Sequence, residues 1–464
     1  MTARLKTEDT IAAIATAPGS GGIGIVRISG PEAEGILRRL FVPQRPQNAW
    51  RSHRLCYGKV LDRSGAVLDE AMAVLMRAPH SYTCEDAAEI QSHGSWPVLQ
   101  AILAEAIAAG ARPAEPGEFT KRAFLAGRID LTRAEAVADL IEARTAASAK
   151  LATEHLQGAL YERISAVRDA LVELLAQVEV AIDFPDDAAE ILESGPLLEL
   201  LRTRAAQPLR QLLALAEQGR IFREGLKAVI AGRPNVGKSS LLNALLREER
   251  ALVADLPGTT RDTIEELISV RGIPVHLVDT AGIREHADAV EGLGIKRARR
   301  KVEQADLVLL VLDASQELTA SDRELHQSLA GKKRILVLNK VDAADSSLLE
   351  RISLEFAGEM QVRTAAKSSG GIEALLDAVW QAAMGSGDGM DEQPACAPNL
   401  RHKLILEKTL AACVQVEATL LAGEPADLLA VDLQTALDHL ADIVGLTTPD
   451  DVLDAVFAKF CIGK

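Results

Sequence analysis

"KAVIAGRPNVGKSSLLNALL", residues 227–246, decides the fold of the central part of this chain. It opens as a short apolar β-like run, passes through a loop punctuated by Gly and Pro, and continues as a helix-like repeat of leucines. Gly232, Gly237, Lys238 and Ser239 fit the pattern G-x-x-x-x-G-K-S. Glycines in that loop let backbone N–H groups converge on phosphates at a helix N-terminus. Lys238 is expected to reach β and γ oxygens, and the Ser239 hydroxyl to ligate Mg²⁺. A chance match of eight residues is improbable here, because strand and helix both flank it. Asn235, Val236 and Ser240 complete the expected phosphate contacts.

Two further motifs lie downstream in the order a guanine-nucleotide domain requires. "VDTAG" ends another β run, with Asp279 expected in the Mg²⁺ shell, Gly282 as γ-phosphate sensor, and Thr280 and Ala281 between them. "VLNKVD" ends a third, with Asn339, Lys340, Val341 and Asp342. A carboxylate there can accept both N1–H and N2–H of guanine, a pair adenine lacks. A site built on such bonds rejects the wrong partner by roughly 10⁴-fold. "TAAKSSGG" is the expected base-contacting loop, with Ala365, Ala366 and Lys367; Ala365 stands where Ser is commoner. "VADLPGTTRD", 253–262, offers Thr260 as a second Mg²⁺ ligand and Gly258 with its neighbouring carbonyls as a small cation-binding turn.

"VDTAGIREHADAVE", 278–291, poses a chemical problem. In many GTPases a glutamine after that glycine orients the attacking water. Here Ile283 follows, which can do neither hydrogen bonding nor proton transfer. Glu285, Asp288 and Glu291 are all acids within reach in sequence, and the residues alone do not choose among them.

Outward from this core, the texture changes twice. Residues 225–384 alternate β runs with helical stretches, the layout of a doubly wound α/β sheet. Residues 123–224 and 385–464 are helical in pattern, apart from the Gly-, Pro- and acid-rich linker "GSGDGMDEQPACAPN" at 385–399. Residues 1–122 carry short β-like runs and one helix-like stretch, "PVLQAILAEAIAAG", reading as a small α+β domain. The expectation is a multidomain α+β and α/β protein, with the α/β domain inserted into a helical one. "GSGGIG" at 19–24 formally fits G-x-G-x-x-G, but a strand-like run follows where a dinucleotide fingerprint needs a helix, so a tight turn is expected.

At 464 residues, about three domains are expected. A net charge of −15 argues against a large nucleic-acid-binding face. The start lacks a secretory layout, no apolar run is long enough to span a membrane, and five scattered cysteines form no zinc pattern. A cytoplasmic, reduced setting is expected.

"GRPNVGKSS", "DLPGTTRD", "DTAGIRE" and the terminal "FCIGK", together with "PGSGGIGIVRISG" and "PGEFTKRAFLAGRIDL" near the start, resemble the MnmE (TrmE) family of tRNA-uridine modification GTPases along the whole chain. The resemblance implies an N-terminal folate-binding domain, a helical domain, and an inserted Ras-like G domain. It implies a K⁺ ion in place of an arginine finger, held by Asn235 and by the loop Ala254, Asp255, Leu256, Pro257, Gly258, Thr259 and Thr260, with Ala254, Leu256 and Thr259 as ligands. A cation there offsets charge developing at the γ-phosphate, which is worth about 10³–10⁵ when an arginine does it. Among the three acids the resemblance selects Glu291; Arg284 is left as a switch residue.

It further implies a reduced-folate site, for a 5-formyl- or methylenetetrahydrofolate, at Arg27, Glu89, Arg128 and Lys464. Relatives carry Lys at the position of Arg128, which changes geometry more than charge. By pattern alone Arg27 and Glu89 read as ordinary surface charges. Cys461 is open to two readings: a small apolar filler beside Phe460 and Ile462, or a nucleophile with a thiol made reactive by Lys464 and a part in one-carbon transfer. Partners implied are a second copy of the chain, the FAD-containing protein MnmG (GidA) in a heterotetramer, and tRNA, with no membrane. The expected outcome is an aminomethyl-type addition at C5 of the wobble uridine. The rivals are an RNA-binding assembly GTPase of the Era or Der type, a GTP-gated scaffold, and a free-standing folate enzyme. The basic run "IKRARRK", 295–301, reads as a solvated helix face.

Overall fold

The computed structural model describes residues 8–45, 50–186, 192–249, 265–279, 300–385 and 396–464. The chain divides into two compact units, one made of residues 1–138, 155–209 and 405–464, the other of 139–154 and 210–404.

The first unit begins with β1 (Ile11–Ile14), β2 (Gly21–Ser29), α1 (Ala33–Leu40), β3 (Phe41–Pro43), β4 (Cys56–Leu61), β5 (Val67–Met76), β6 (Ala87–Gly94), α2 (Trp96–Ala108), β7 (Arg112–Pro113) and α3 (Glu118–Leu125). The strands form one sheet in the order β3-β4-β5-β6-β2-β1-β7, antiparallel except for the β1–β7 pair. Alternation along β2 sorts its two faces: Val26 and Ile28 enter a core with Ile36 of α1 and Leu99 of α2, while Arg27 lies on the opposite face. A single helix was expected in this region; α1 and α3 are additional. Gly21, Gly22 and Gly24 lie inside β2, whose register against β6 shifts between Gly21 and Gly24. The glycine run is therefore an irregular strand start, not a tight turn. A side chain at Gly24 would meet Leu99 Cδ1 at 2.5 Å, so a larger residue there would displace that buried leucine.

Arg122 of α3, 3% exposed, ties the sheet to this helix through Asp9, Glu85 and Glu118. Glu118 sits below the ordinary carboxylate range: burial opposes this, but hydrogen bonds from Arg112, the Glu115 backbone and Arg122 outweigh it.

Helices follow: α4 (Leu131–Glu142), α5 (Ala146–Gln157), α6 (Ala159–Asp183), α7 (Ser194–Leu200), a π-helical stretch Leu201–Ala206, and α8 (Gln207–Glu224). In α6 the buried residues Leu160, Ile164, Val167, Leu171, Leu174, Val178 and Ala181 recur at alternating steps of four and three. That is the seam of a two-helix coil.

The second unit contains β8 (Leu226–Ala231), α9 (Lys238–Glu249), β9 (Glu265–Val270), β10 (Ile273–Asp279), β11 (Leu307–Asp313), α10 (Ala320–Ser328), β12 (Arg334–Asn339), α11 (Ser346–Glu355), β13 (Gln361–Thr364) and α12 (Ile372–Met384). Its sheet runs β13-β12-β11-β8-β10-β9, parallel except at β9. Every residue of β11 is buried. Leu307, Leu309 and Val311 enter the core on one face, and Val308, Leu310 and Leu312 the core on the other, as expected of a central strand covered on both sides. The parallel register aligns strand ends: Asp313 of β11 faces Asn339 of β12, and Asn339 faces Thr364 of β13. The nucleotide motifs are thereby gathered along one edge.

The chain closes with α13 (Leu400–Ala422), α14 (Ala426–Val444) and α15 (Asp450–Phe457). In α14, Leu429, Leu433, Ala436, Leu440 and Ile443 repeat the four–three step and pack along α6. Phe457 and Phe460 join Leu131 and Ala134 in a small core. The tail then pairs Ile462 with Pro116.

Candidate functional site

Among the described residues, two side-chain constellations carry chemistry, one in each unit. The first is at the strand ends of the second unit. The loop between β8 and α9 holds three left-handed residues, Gly232, Asn235 and Gly237, at φ 154°, 66° and 99°. A Cβ at Gly232 would lie 2.6 Å from the Val311 carbonyl oxygen, and one at Gly237 would lie 2.3 Å from Asn339 Nδ2. Glycine is required at both on contact as well as on dihedral grounds.

Lys238, 7% exposed, donates from Nζ to the carbonyls of Gly232 (3.0 Å) and Arg233 (2.7 Å). Asn339, 2% exposed, donates from Nδ2 to the Val236 carbonyl at 2.9 Å. Its Oδ1 accepts from Thr364 Oγ1 (3.2 Å) and the Ala366 N–H (3.1 Å). One amide thus fastens the phosphate loop to the loop carrying Ala365, Ala366 and Lys367. Lys340, left-handed at φ 63°, donates to the Asn235 carbonyl (2.8 Å) and to Asp313 Oδ2 (2.7 Å). Burial works against ionisation of Asp313, yet hydrogen bonds from Lys340 and Ser315 hold its carboxyl below the usual range.

Asn235, Ser239, Asp342 and Lys367 are exposed, while Ala365 and Ala366 are buried. The Ala365 N–H donates to the Gly370 carbonyl at 2.8 Å, which closes the loop. The structure therefore brings the first, third and fourth motifs together. The second is represented by the β10 backbone alone: the Asp279 side chain, Thr280, Ala281, Gly282 and Glu291 lie outside the described residues. So do Ala254, Asp255, Leu256, Pro257, Gly258, Thr259 and Thr260, together with Glu285, Asp288 and Arg284.

The second constellation lies in the first unit. The β2–β6 register sets Arg27 opposite Glu89, and Arg27 Nε donates to Glu89 Oε1 at 2.9 Å. By pattern alone each reads as an ordinary surface charge; the structure joins them in an ion pair, 20% and 15% exposed. Arg27 Nη1 also donates to the Gly463 carbonyl at 3.3 Å, so the chain's last residues meet the sheet here. Gly463 has φ 95°, and a Cβ on it would lie 2.4 Å from the Ile14 carbonyl oxygen.

Arg128 donates to the Tyr82 carbonyl at 2.8 Å and stacks its guanidinium 4.9 Å from the Tyr82 ring centre. The Arg27 guanidinium lies 5.6 Å from the Phe119 ring centre and 6.0 Å from that of Tyr82. Phe119 is fully buried beneath Arg27, while two cations and the half-buried Tyr82 ring make a surface suited to a flat, electron-rich ring bearing carboxylates. Tyr82, Phe119 and the Gly463 carbonyl are absent from the sequence-derived set. Tyr82 is one of 3 tyrosines in the chain, set in a polar loop, and that scarcity is the signal that points to it. The Cys461 thiol belongs to an exposed residue, which removes the apolar-filler reading. Lys464 caps the final turn, its N–H donating to the Cys461 carbonyl at 3.4 Å.

Among the described residues no helix is long and apolar enough to cross a membrane. Residues 10–128 match the family described as the N-terminus of the GTP-binding protein TrmE, and residues 131–461 the family described as the MnmE helical domain. The tRNA modification GTPase MnmE of Desulfotalea psychrophila is 49% identical over 461 residues, covering 98% of each chain. That of Geobacter sulfurreducens is 46% identical over 463 residues, 99% of this chain and 100% of its own. The G domain of the T. maritima FeoB iron transporter is 30% identical over 34% of this chain and 98% of its own, with a TM-score of 0.27.

Proposed function

Because this chain belongs to the MnmE family of tRNA modification GTPases, we propose that it is a K⁺-activated GTPase which works with MnmG to modify C5 of the wobble uridine of tRNA. One observation carries the reading: a full-length match to MnmE proteins coincides with a strand-end cluster in which Asn339 joins the phosphate loop to the base loop. An Era- or Der-type assembly GTPase is not favoured by a match that extends through the N-terminal and helical segments.

GTP with Mg²⁺ is the substrate. In this reading the Lys238 ammonium faces the β and γ oxygens, Ser239 and Thr260 ligate Mg²⁺, and Asp279 holds its water shell. The exposed Asp342 carboxylate accepts the guanine N–H pair. Asn235 suits an alkali cation: its backbone carbonyl is engaged by Lys340, while its residue is exposed and supplies a neutral amide oxygen. K⁺, when bound, supplies positive charge beside the γ-phosphate. Ala254, Leu256 and Thr259 are its further proposed ligands, and Glu291 orients the attacking water.

The Arg27 constellation fits a reduced folate by the chemistry of its donors. Glu89 accepts from N–H groups of a pterin edge, Arg27 and Arg128 meet carboxylates, and Tyr82 provides a stacking face. The bound folate supplies the one-carbon unit. Lys464 adds a cation, and the exposed Cys461 thiol is the proposed nucleophile. A second copy of the chain and MnmG complete the assembly.

Two measurements test the reading. GTP turnover of the full chain in K⁺ should exceed that in Na⁺ by about 10-fold or more, given the charge being offset. Wobble uridine from cells lacking the protein should be without the C5 substituent. Equal rates in the two salts refute the cation's role, and intact modified uridine refutes the tRNA function.

A further inference from the structure

Arg233, the second residue of the phosphate loop, has no part in the proposal above, yet its side chain makes a selective contact. Its Nε donates to Asp322 Oδ1 at 2.6 Å, and the Asp322 side chain is 1% exposed against 24% for Arg233. Asp322 is not a loose acid. Its other oxygen accepts from the Thr319 N–H and hydroxyl, both at 2.9 Å, in a capping box that starts α10. A helix N-terminus thus fixes the carboxylate, and the carboxylate fixes Arg233. The Arg233 carbonyl is in turn one of the two oxygens that hold Lys238 Nζ.

From this chain of contacts we infer that Arg233 and Asp322 are positioning residues for Lys238: the pair, anchored on the buried Asp322, holds the loop carbonyls on which the phosphate-binding ammonium rests. The inference deepens the GTPase reading and rests on it. Without the tie, the Gly232–Arg233 backbone is held less firmly, and the ammonium is presented to phosphates in a wider spread of positions. The cost falls on contacts to the β and γ phosphates. Base recognition, built on Asn339 and Asp342, is left alone.

The test is a double-mutant cycle in the full chain, read by nucleotide affinity. Arg233→Met removes the charge and keeps the bulk. Asp322→Asn keeps an oxygen for the helix cap but turns an amide NH₂ toward the guanidinium. Each is expected to weaken GDP binding about tenfold, the scale of one charge-assisted contact, while GMP affinity stays within about twofold. The double variant should be no weaker than either single one, because both remove the same tie. Unchanged GDP affinity, equal losses for GDP and GMP, or losses that multiply in the double variant would each overturn the inference. A parent protein that binds no guanine nucleotide would overturn the GTPase reading, and the inference with it.

Discussion

Replacing Asn339 by Ala should separate what this residue does for the fold from what it does for the nucleotide. The side chain is 2% exposed and makes three hydrogen bonds, one to the phosphate loop and two to the base loop. Its removal leaves the Val236 carbonyl and the Ala366 N–H without that partner in a buried setting. Each such orphan costs about 1–3 kcal/mol, so a loss of roughly 3 kcal/mol is expected after partial hydration. For a unit of this size that lowers the unfolding midpoint by about 6–12 °C. Calorimetry of the full chain identifies the relevant transition as the one GDP raises, since a ligand stabilises only what it binds. That transition should fall in the variant without nucleotide, and GDP should restore less than in the parent. A midpoint within about 2 °C of the parent would refute the reasoning, because the three bonds would then be carrying nothing.

Asp342→Asn should weaken GTP by about 10²-fold or more, and should favour xanthine nucleotides, whose C2 carbonyl can accept from the new amide; competition binding with the two triphosphates reads the swap. Gly463→Ala should reduce binding of 5-formyltetrahydrofolate by at least about tenfold in calorimetry, since its Cβ cannot fit 2.4 Å from the Ile14 carbonyl oxygen; guanine-nucleotide affinity should not change. Glu359 receives hydrogen bonds from Arg334 and His326, and its carboxyl is lowered to about 2, chiefly by Arg334. A depressed folded value adds stability that is complete above the unfolded value of 4.5 and fades as pH falls toward 2. Glu359→Gln should therefore flatten the acid side of the GDP-shifted transition between about pH 5 and 2, by about 1 kcal/mol once solvent screening is allowed for. An unaltered acid slope rejects the pairing as a stabilising one.

The parts of this protein that were legible in the sequence are those with a local cause. The phosphate loop announces itself because strand, glycines and helix start are contiguous. The α6 and α14 seams show in the three–four spacing of their leucines, although the sequence does not say that they pair with each other. What stayed hidden depends on register between distant segments. Arg27 and Glu89 are 62 positions apart and meet only because β2 and β6 pair in one register. Slipping that pairing by one residue would turn Glu89 to the other face. The Arg27 contact with Gly463 spans 436 positions, and no periodicity reports on it. Arg233 and Asp322 are equally remote, at 89 positions.

The strand-end bonds also say where specificity and rate should divide. Lys238, Asn339 and Lys340 are each held by backbone carbonyls of the loops around them. A site whose donors are already oriented spends little on reorganisation when ligand arrives, so affinity and base choice belong to this half. Substitutions at Asn339 or Asp342 should accordingly act on binding. Those at Thr260 and Glu291, the residues proposed for Mg²⁺ and water, should instead lower the turnover number at saturating GTP and leave GDP affinity nearly as it was. A Glu291→Ala protein with normal turnover but weakened GDP binding would reverse that division, and with it the assignment of the water-orienting acid.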